Sequence, residues 1–309
     1  MSFSMDIKDE VTRLDSTKTE LISELSAIVK NSANINEKEI KISIENNAVA
    51  RRIFKLFKNI YGLIPIITVR KRYNFSKNLD YILIIRNKKK EILKDLSIID
   101  NNNNILNIPH EYIISDEDSI RAYLRGLFIS CGSINDPKTS RYHSEFLVDN
   151  LEYAKFIEKL LNDNNLNSKI IRREKNYMIY IKEAEKISDF LRIIKAYNAV
   201  MYFEDIRIYR DHKNMTNRLN NCEQANMDKV FLTAAKQLRD IKMIRENDML
   251  DILDDKLLEV VKYREKYPEA SLQELSDIMS QELGHLITKS GLNHRFRKIK
   301  EIASRISNK

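Results

Sequence analysis

A chain of 309 residues, 43% hydrophobic and 32% charged, is long enough for two domains with a sizeable core. Its 53 lysines and arginines outnumber 45 acids, and the net charge of +8 suits a polyanionic partner. Two cysteines, without a CxxC or a Cys/His cluster, argue against structural zinc and for a reducing cytoplasm, and no apolar run approaches the roughly 20 residues that span a bilayer.

The opening MSFSMDIKDEV is polar and acidic and does not read as a secretory signal. A helix then ends in LSAIVKNSANI, with small residues Ala27 and Asn31 four apart on one face. A strand-like EIKISIE follows, then a helical NNAVARRIFKLF, two strands in PIITVRKRY and DYILIIR, and a helical tail KKKEILKDLSII. The asparagine-rich DNNNN at 100–104 is a linker.

Beyond the linker the same order returns. LRGLFISCGSI aligns with LSAIVKNSANI, placing Leu25 on Leu124, Ala27 on Gly126, Ile28 on Leu127, Ala33 on Gly132 and Ile35 on Ile134. NLEYAKFIEKLL aligns with NNAVARRIFKLF, pairing Asn46 with Asn150, Ala50 with Ala154, Ile53 with Ile157 and Leu56 with Leu160. The offset grows from 99 to 104, a five-residue loop insertion. The strands SEFLVD, SKIIRRE and YMIYIK and the helix AEKISDFLRIIKA complete the second copy. Each copy reads helix, short strand, strand, helix, strand, strand, helix. Two copies predict a pseudo-twofold α+β domain over 1–212, with lobes at about 15–100 and 105–205, whose small-residue helices meet at the centre.

After Asp211 the pattern is all-α. A polar stretch leads into one long helix, and DKLLEVVKYREKYP is a helix stopped at Pro268. Ser271 with Glu274 three residues on is a capping box, and Gly284 ends the helix it starts. Thr288 caps a final helix from Lys289 to about Ser307. Residues 213–309 thus form a helical domain with a helix-turn-helix at about 271–307. Thr288 to Lys309 holds seven Lys/Arg and one Glu, whereas the rest of the chain carries 46 against 44. Leu292, Phe296, Ile299, Ala303 and Ile306 form the core stripe of the last helix. Lys289, Ser290, Asn293, Arg297 and Lys300 face the other way. With Thr288, His294, Arg295 and Lys298 they form the candidate DNA-binding set, in which Asn suits adenine and Arg or Lys suits guanine or phosphate. A second candidate surface lies on the strands. Thr68, Arg70 and Arg72 share one face of TVRKRY, with Arg172 and Arg173 at the equivalent place in the second copy.

The repeat with its small-residue helices resembles the LAGLIDADG homing-endonuclease fold over roughly residues 15–205. In that family an acid at the end of each motif helix binds the divalent metal that supports phosphodiester cleavage. Those positions fall on Ser32 and Cys131, and neither is a hard carboxylate ligand. Residues 25–35 and 124–134 hold no Asp or Glu, and Asp136 lies past the helix end. Cys131 reads as a small buried hydrophobe rather than a reactive thiol.

YLRGLFISCGSINDPKTSRYHSEF, NRLNNCEQANMDK and ASLQELSDIM…ITKSGLNHRFRKIKEIA together resemble the WhiA family of bacterial sporulation and cell-division regulators. That resemblance implies a degenerate LAGLIDADG domain joined to a helix-turn-helix. It implies a sequence-specific DNA-binding transcriptional regulator of cell division or chromosome segregation, without nuclease activity, with sporulation as the role in some relatives. The expected partner is double-stranded DNA, with protein partners in transcription or division. The expected place is the cytoplasm, at the nucleoid. No cofactor, metal or small-molecule substrate is expected. A metal-dependent homing endonuclease, or a first domain that serves as a protein- or ligand-interaction module, are the alternatives.

Overall fold

The repeated pattern folds twice into the same four-stranded antiparallel sheet backed by helices. The computed structural model describes residues 2–71, 79–139 and 141–307. They fall into two units, Met1–Arg210 and Asp211–Lys309.

The first unit opens with α1 (Phe3–Val11). Its first lobe holds α2 (Lys18–Ser32), β1 (Ala33–Ile35), β2 (Ile40–Ile44), α3 (Asn47–Tyr61), β3 (Ile66–Lys71), β4 (Leu79–Ile85) and α4 (Lys89–Asp95). The second lobe repeats them as α5 (Glu117–Cys131), β5 (Gly132–Ile134), β6 (Ser144–Val148), α6 (Leu151–Asp163), β7 (Lys169–Arg173), β8 (Asn176–Ile181) and α7 (Ala184–Ile193). The sheet orders are β1-β2-β4-β3 and β5-β6-β8-β7. The registers match as well. Ile42 pairs with Leu83 and Phe146 with Ile179, and all four are buried against helices. Asn46 and Asn150, aligned in sequence, both cap a helix, accepting from Val49 N at 3.0 Å and from Tyr153 N at 3.0 Å.

The lobes join through α2 and α5. A Cβ on Gly126 would lie 2.3 Å from the Glu24 carbonyl oxygen and 3.1 Å from the Ala27 Cβ, so only glycine permits this approach. The junction also holds a buried charge cluster that the sequence did not advertise. The Glu24 carboxylate accepts from Arg52 Nε and Nη2, each at 2.9 Å, and across the interface from Arg125 Nε at 2.9 Å. Glu24 and Arg125 are both fully buried. Arg52 and Arg125 spend further donors on the Leu14 carbonyl and the Ser16 hydroxyl, which meets the condition for tolerating charge in a dry core.

Helix α1 lies outside the repeat and was not expected. Phe3, Ile7 and Val11, four apart, are buried. The Ser4 hydroxyl donates to the Ile134 carbonyl at 2.8 Å and accepts from Ile134 N at 2.8 Å, satisfying the backbone of β5. The Glu10 carboxylate accepts from Asn198 N at 2.7 Å and Ala199 N at 3.0 Å, and so caps α8 (Tyr197–Glu246). That helix is 50 residues long and absorbs the stretch expected to be a polar lead-in. Between Tyr197 and Glu246 there is neither Gly nor Pro, so nothing interrupts the backbone ladder.

In the second unit the end of α8 packs with α9 (Asp255–Lys266), α10 (Leu272–Leu283) and α11 (Lys289–Ser307). Ile241, Ile244, Val260, Leu275, Met279, Leu292 and Ile299 form their shared core. Ser271 and Glu274 make the predicted capping box, and Gly284 closes α10 in the left-handed conformation, φ 70°. Among the described residues, no helix is long and apolar enough to cross a membrane.

Candidate nucleic-acid interface

The turn before α11 is fixed by α10. Ile287 is buried, its carbonyl accepts from Ser276 Oγ at 2.6 Å, and its N–H donates to Ser280 Oγ at 2.9 Å. Both backbone groups are thereby satisfied inside the turn, which sets the start of α11. Thr288 Oγ1 then accepts from Gly291 N at 3.1 Å as the N-cap.

From there the helix keeps the predicted periodicity. Leu292, Phe296, Ile299 and Ala303 are buried and Ile306 is half-buried. Lys289, Ser290, Asn293, His294, Arg297 and Lys298 are exposed. Lys289, Ser290, Asn293 and Arg297 recur at helical spacing along one face at the N-terminal half of the helix. Two of the candidate residues are placed differently from this group. Arg295 is half-buried and sits 3.9 Å from Glu259 of α9, so it leans toward the unit's own core. Lys300 is exposed but acts on Asp240 of α8, whose carboxyl is pushed up by burial and held back by that ammonium.

The strand surfaces offer less charge than the sequence suggested. Core residues Leu83 and Ile85 mark the helix-covered face of the first sheet, so Thr68 and Arg70, paired with Ile82 and Asp80, lie on the open face. Arg72 lies outside the described residues. In the second sheet Arg173 pairs with Asn176 and lies on the open face. Arg172 pairs with Tyr177 and lies on the opposite one. Arg172 and Arg173, expected at the place equivalent to the first copy's arginines, are both exposed but point to opposite sides of their strand, as neighbours do. Each open-face arginine is matched by an acid of its own sheet. Arg70 stands opposite Asp80, and Arg173 is 3.9 Å from Glu145. Around them stand exposed apolar residues, with Ile66 52%, Ile171 49% and Leu147 41% exposed, together with exposed Lys41 and Lys169. Phosphate binding needs a local cationic excess, and among the described residues it is most concentrated on α11.

At the ends of the motif helices the side chains turn back on their own backbone. Ser32 Oγ donates to the Ile28 carbonyl at 2.6 Å and Cys131 Sγ to the Leu127 carbonyl at 3.4 Å. Burial pushes the half-buried Cys131 thiol up to about 12. The charged neighbour it does have is the Lys8 ammonium of α1, which burial draws below the usual lysine value. A hydroxyl, a protonated thiol and an ammonium do not make a divalent-cation site of the kind the motif serves in nucleases. Lys8 was missed in the sequence. The i, i+4, i+8 spacing of Phe3, Ile7 and Val11 was the available signal.

Comparison with known proteins finds one family along most of the chain. Family models for a WhiA N-terminal LAGLIDADG-like domain, a WhiA LAGLIDADG-like domain and a WhiA C-terminal HTH domain match residues 18–99, 120–213 and 216–303. Proteins named probable cell division protein WhiA from Lactobacillus johnsonii and Bacillus mycoides are 41% and 43% identical over 99% of this chain, spanning 98% and 97% of their own lengths. The crystal structure of full-length DUF199/WhiA from Thermatoga maritima is similar over 99% of both chains, with 24% identity and a TM-score of 0.57. The N-terminal LAGLIDADG domain of DUF199/WhiA matches 63% of this chain and 90% of its own, with 26% identity and a TM-score of 0.51.

Proposed function

The chain belongs to the WhiA family, and on that premise we propose that it is a sequence-specific DNA-binding transcriptional regulator of cell division or chromosome segregation, without nuclease activity. The observation that carries this reading is the exposed face of α11, where Lys289, Ser290, Asn293 and Arg297 stand at groove-reading spacing on a helix positioned by a rigid turn. Asn293 reads a base edge and Arg297 holds a phosphate, while Thr288 fixes the helix start. The action is in the cytoplasm, on the chromosome. Mapping chromosomal sites bound by the intact protein tests the reading. Discrete sites sharing a sequence upstream of division genes support it, and uniform coverage contradicts it. Incubation of random duplexes with Mg²⁺ or Mn²⁺ should leave them intact, since Ser32 and Cys131 occupy both positions where metal-binding acids would stand.

The first unit then acts as a protein-interaction module beside the DNA-reading helix. The exposed apolar residues of the open sheet faces, Ile66, Ile171 and Leu147, with Asp80 opposite Arg70 and Glu145 near Arg173, support that role. Arg70→Ala with Arg173→Ala should leave DNA affinity unchanged in the full chain. A uniform loss across sequences would return the sheets to the DNA interface.

A further inference from the structure

Arg264 of α9 is 1% exposed. Its Nη1 donates to the Ala270 carbonyl at 2.6 Å and the Tyr267 carbonyl at 3.3 Å, and the guanidinium lies 5.4 Å from the Phe296 ring. Its Nε finds no acceptor, and among the described residues no carboxylate pairs with it. A buried cation without a counter-charge is costly, and proteins ordinarily pair it. Here it lines a cavity of about 180 Å³ together with Lys229 and Thr233 of α8, Ser271 and Gln273 at the start of α10, and Lys289 at the start of α11. No Asp or Glu lines that cavity. The capping box occupies the N–H groups of Ser271 and Glu274, which leaves those of Leu272 and Gln273 at the positive end of the α10 dipole. Two lysines, a buried unpaired arginine and a helix N-terminus thus converge on one small space.

We propose that this cavity seats a single phosphoryl anion, a backbone phosphodiester of the DNA that α11 reads. The proposal rests on the DNA-binding reading above and adds to it a contact made by α8, α9 and α10. Size sets the ligand class. Sites for whole cofactors or nucleotides occupy roughly 300–1,000 Å³, so this cavity takes one tetrahedral anion and little more. Lys289 connects the two surfaces, since it opens α11 and also lines the cavity. The seat would hold the strand beside the groove that α11 enters, fixing the register without reading sequence.

The test compares the full chain with Lys229→Ala, an exposed position, and with Arg264→Met. Binding to a specific and a scrambled duplex is measured across a salt series. Lys229→Ala should weaken both duplexes by about tenfold and reduce the salt slope by about one, leaving their ratio unchanged. Lys229→Arg should restore much of the loss. In a second arm without DNA, inorganic phosphate should raise the melting temperature more than chloride at equal ionic strength, and Arg264→Met should abolish the difference. Should Arg264→Met fail to fold, Lys229→Ala replaces it in this arm. Phosphate stabilisation with unchanged DNA binding in Lys229→Ala would assign the cavity to a free oxyanion and overturn the backbone contact. Wild-type protein that binds duplex while the variants change neither arm overturns the seat alone. Wild-type protein that binds no duplex overturns the DNA reading, and the seat with it.

Discussion

Gly126 and Cys131 occupy one helix and divide the inherited motif between packing and chemistry. Gly126 still performs its packing role, because any Cβ there meets the Glu24 backbone. Gly126→Leu or Ala27→Leu overpacks the α2–α5 junction and should cost on the order of 1–3 kcal/mol or more, read as a fall in melting temperature. Ser32→Ala removes only a bond to the residue's own helix and should cost far less. Equal melting temperatures for the three would mean the helices do not meet as described. Cys131 is an inert thiol by the same logic, since burial keeps it protonated to about pH 12. A thiol reagent at pH 8 should label exposed Cys222 in the native protein and reach Cys131 only after unfolding. Rapid double labelling would contradict this. The small residues were legible in the sequence because their spacing of four states a helix contact directly. Arg264 was not legible, since its burial depends on three helices brought together from distant parts of the chain.

At the scale of elements, periodicity carried the reading where it was strong. The repeated lobes, the capping box at Ser271 and the core stripe of α11 were all visible as spacing. Helix α1 showed the same kind of spacing at Phe3, Ile7 and Val11, but the segment was read only for its polar, acidic composition. The continuity of α8 was missed because polarity was taken for a break, although the stretch contains no breaker. Arg172 shows the limit of reading a strand by composition, since only the register says which of two neighbouring arginines faces outward. The elements also predict energetics. Glu24→Gln would leave Arg52 and Arg125 without their buried counter-charge and should cost about 3–5 kcal/mol in a denaturant titration. A near-neutral result would show that water reaches the cluster. In the second unit, Glu282 ties α10 to α9, accepting from Tyr263 at 2.8 Å, Lys266 at 3.1 Å and Tyr267 at 3.1 Å. The Tyr263 hydroxyl first, then Lys266 and Tyr267, hold its carboxyl below the ordinary value of 4.5. A depressed folded pKa contributes stability above the unfolded value, and that contribution is lost as pH falls through the folded one. Glu282→Gln should therefore melt slightly earlier than wild type at pH 7, with the gap closing below pH 4.5. A gap that persists unchanged in acid would assign the tie to packing.

For the whole molecule, the proposed division of labour rests on the fold and on the charge of one helix. The pseudo-twofold unit has a LAGLIDADG-like fold and presents a hydroxyl and a thiol at the ends of α2 and α5, with the Lys8 ammonium beside the thiol. Within the helical unit the positive charge is concentrated on α11, whose start is fixed by Ser276, Ser280 and Thr288. The missing acids could be read residue by residue, whereas the modest cationic character of the strand faces emerged only when Asp80 and Glu145 were found beside their arginines. The most direct measurement is duplex binding by the full chain across a salt series, with a specific and a scrambled site, for wild type, Asn293→Ala and Arg297→Ala. Asn293→Ala should lose discrimination worth roughly 1–3 kcal/mol, and Arg297→Ala should weaken both sites equally and lower the salt slope by about one. If both variants bind as wild type does, in affinity, specificity and salt dependence, α11 is not the helix that reads DNA.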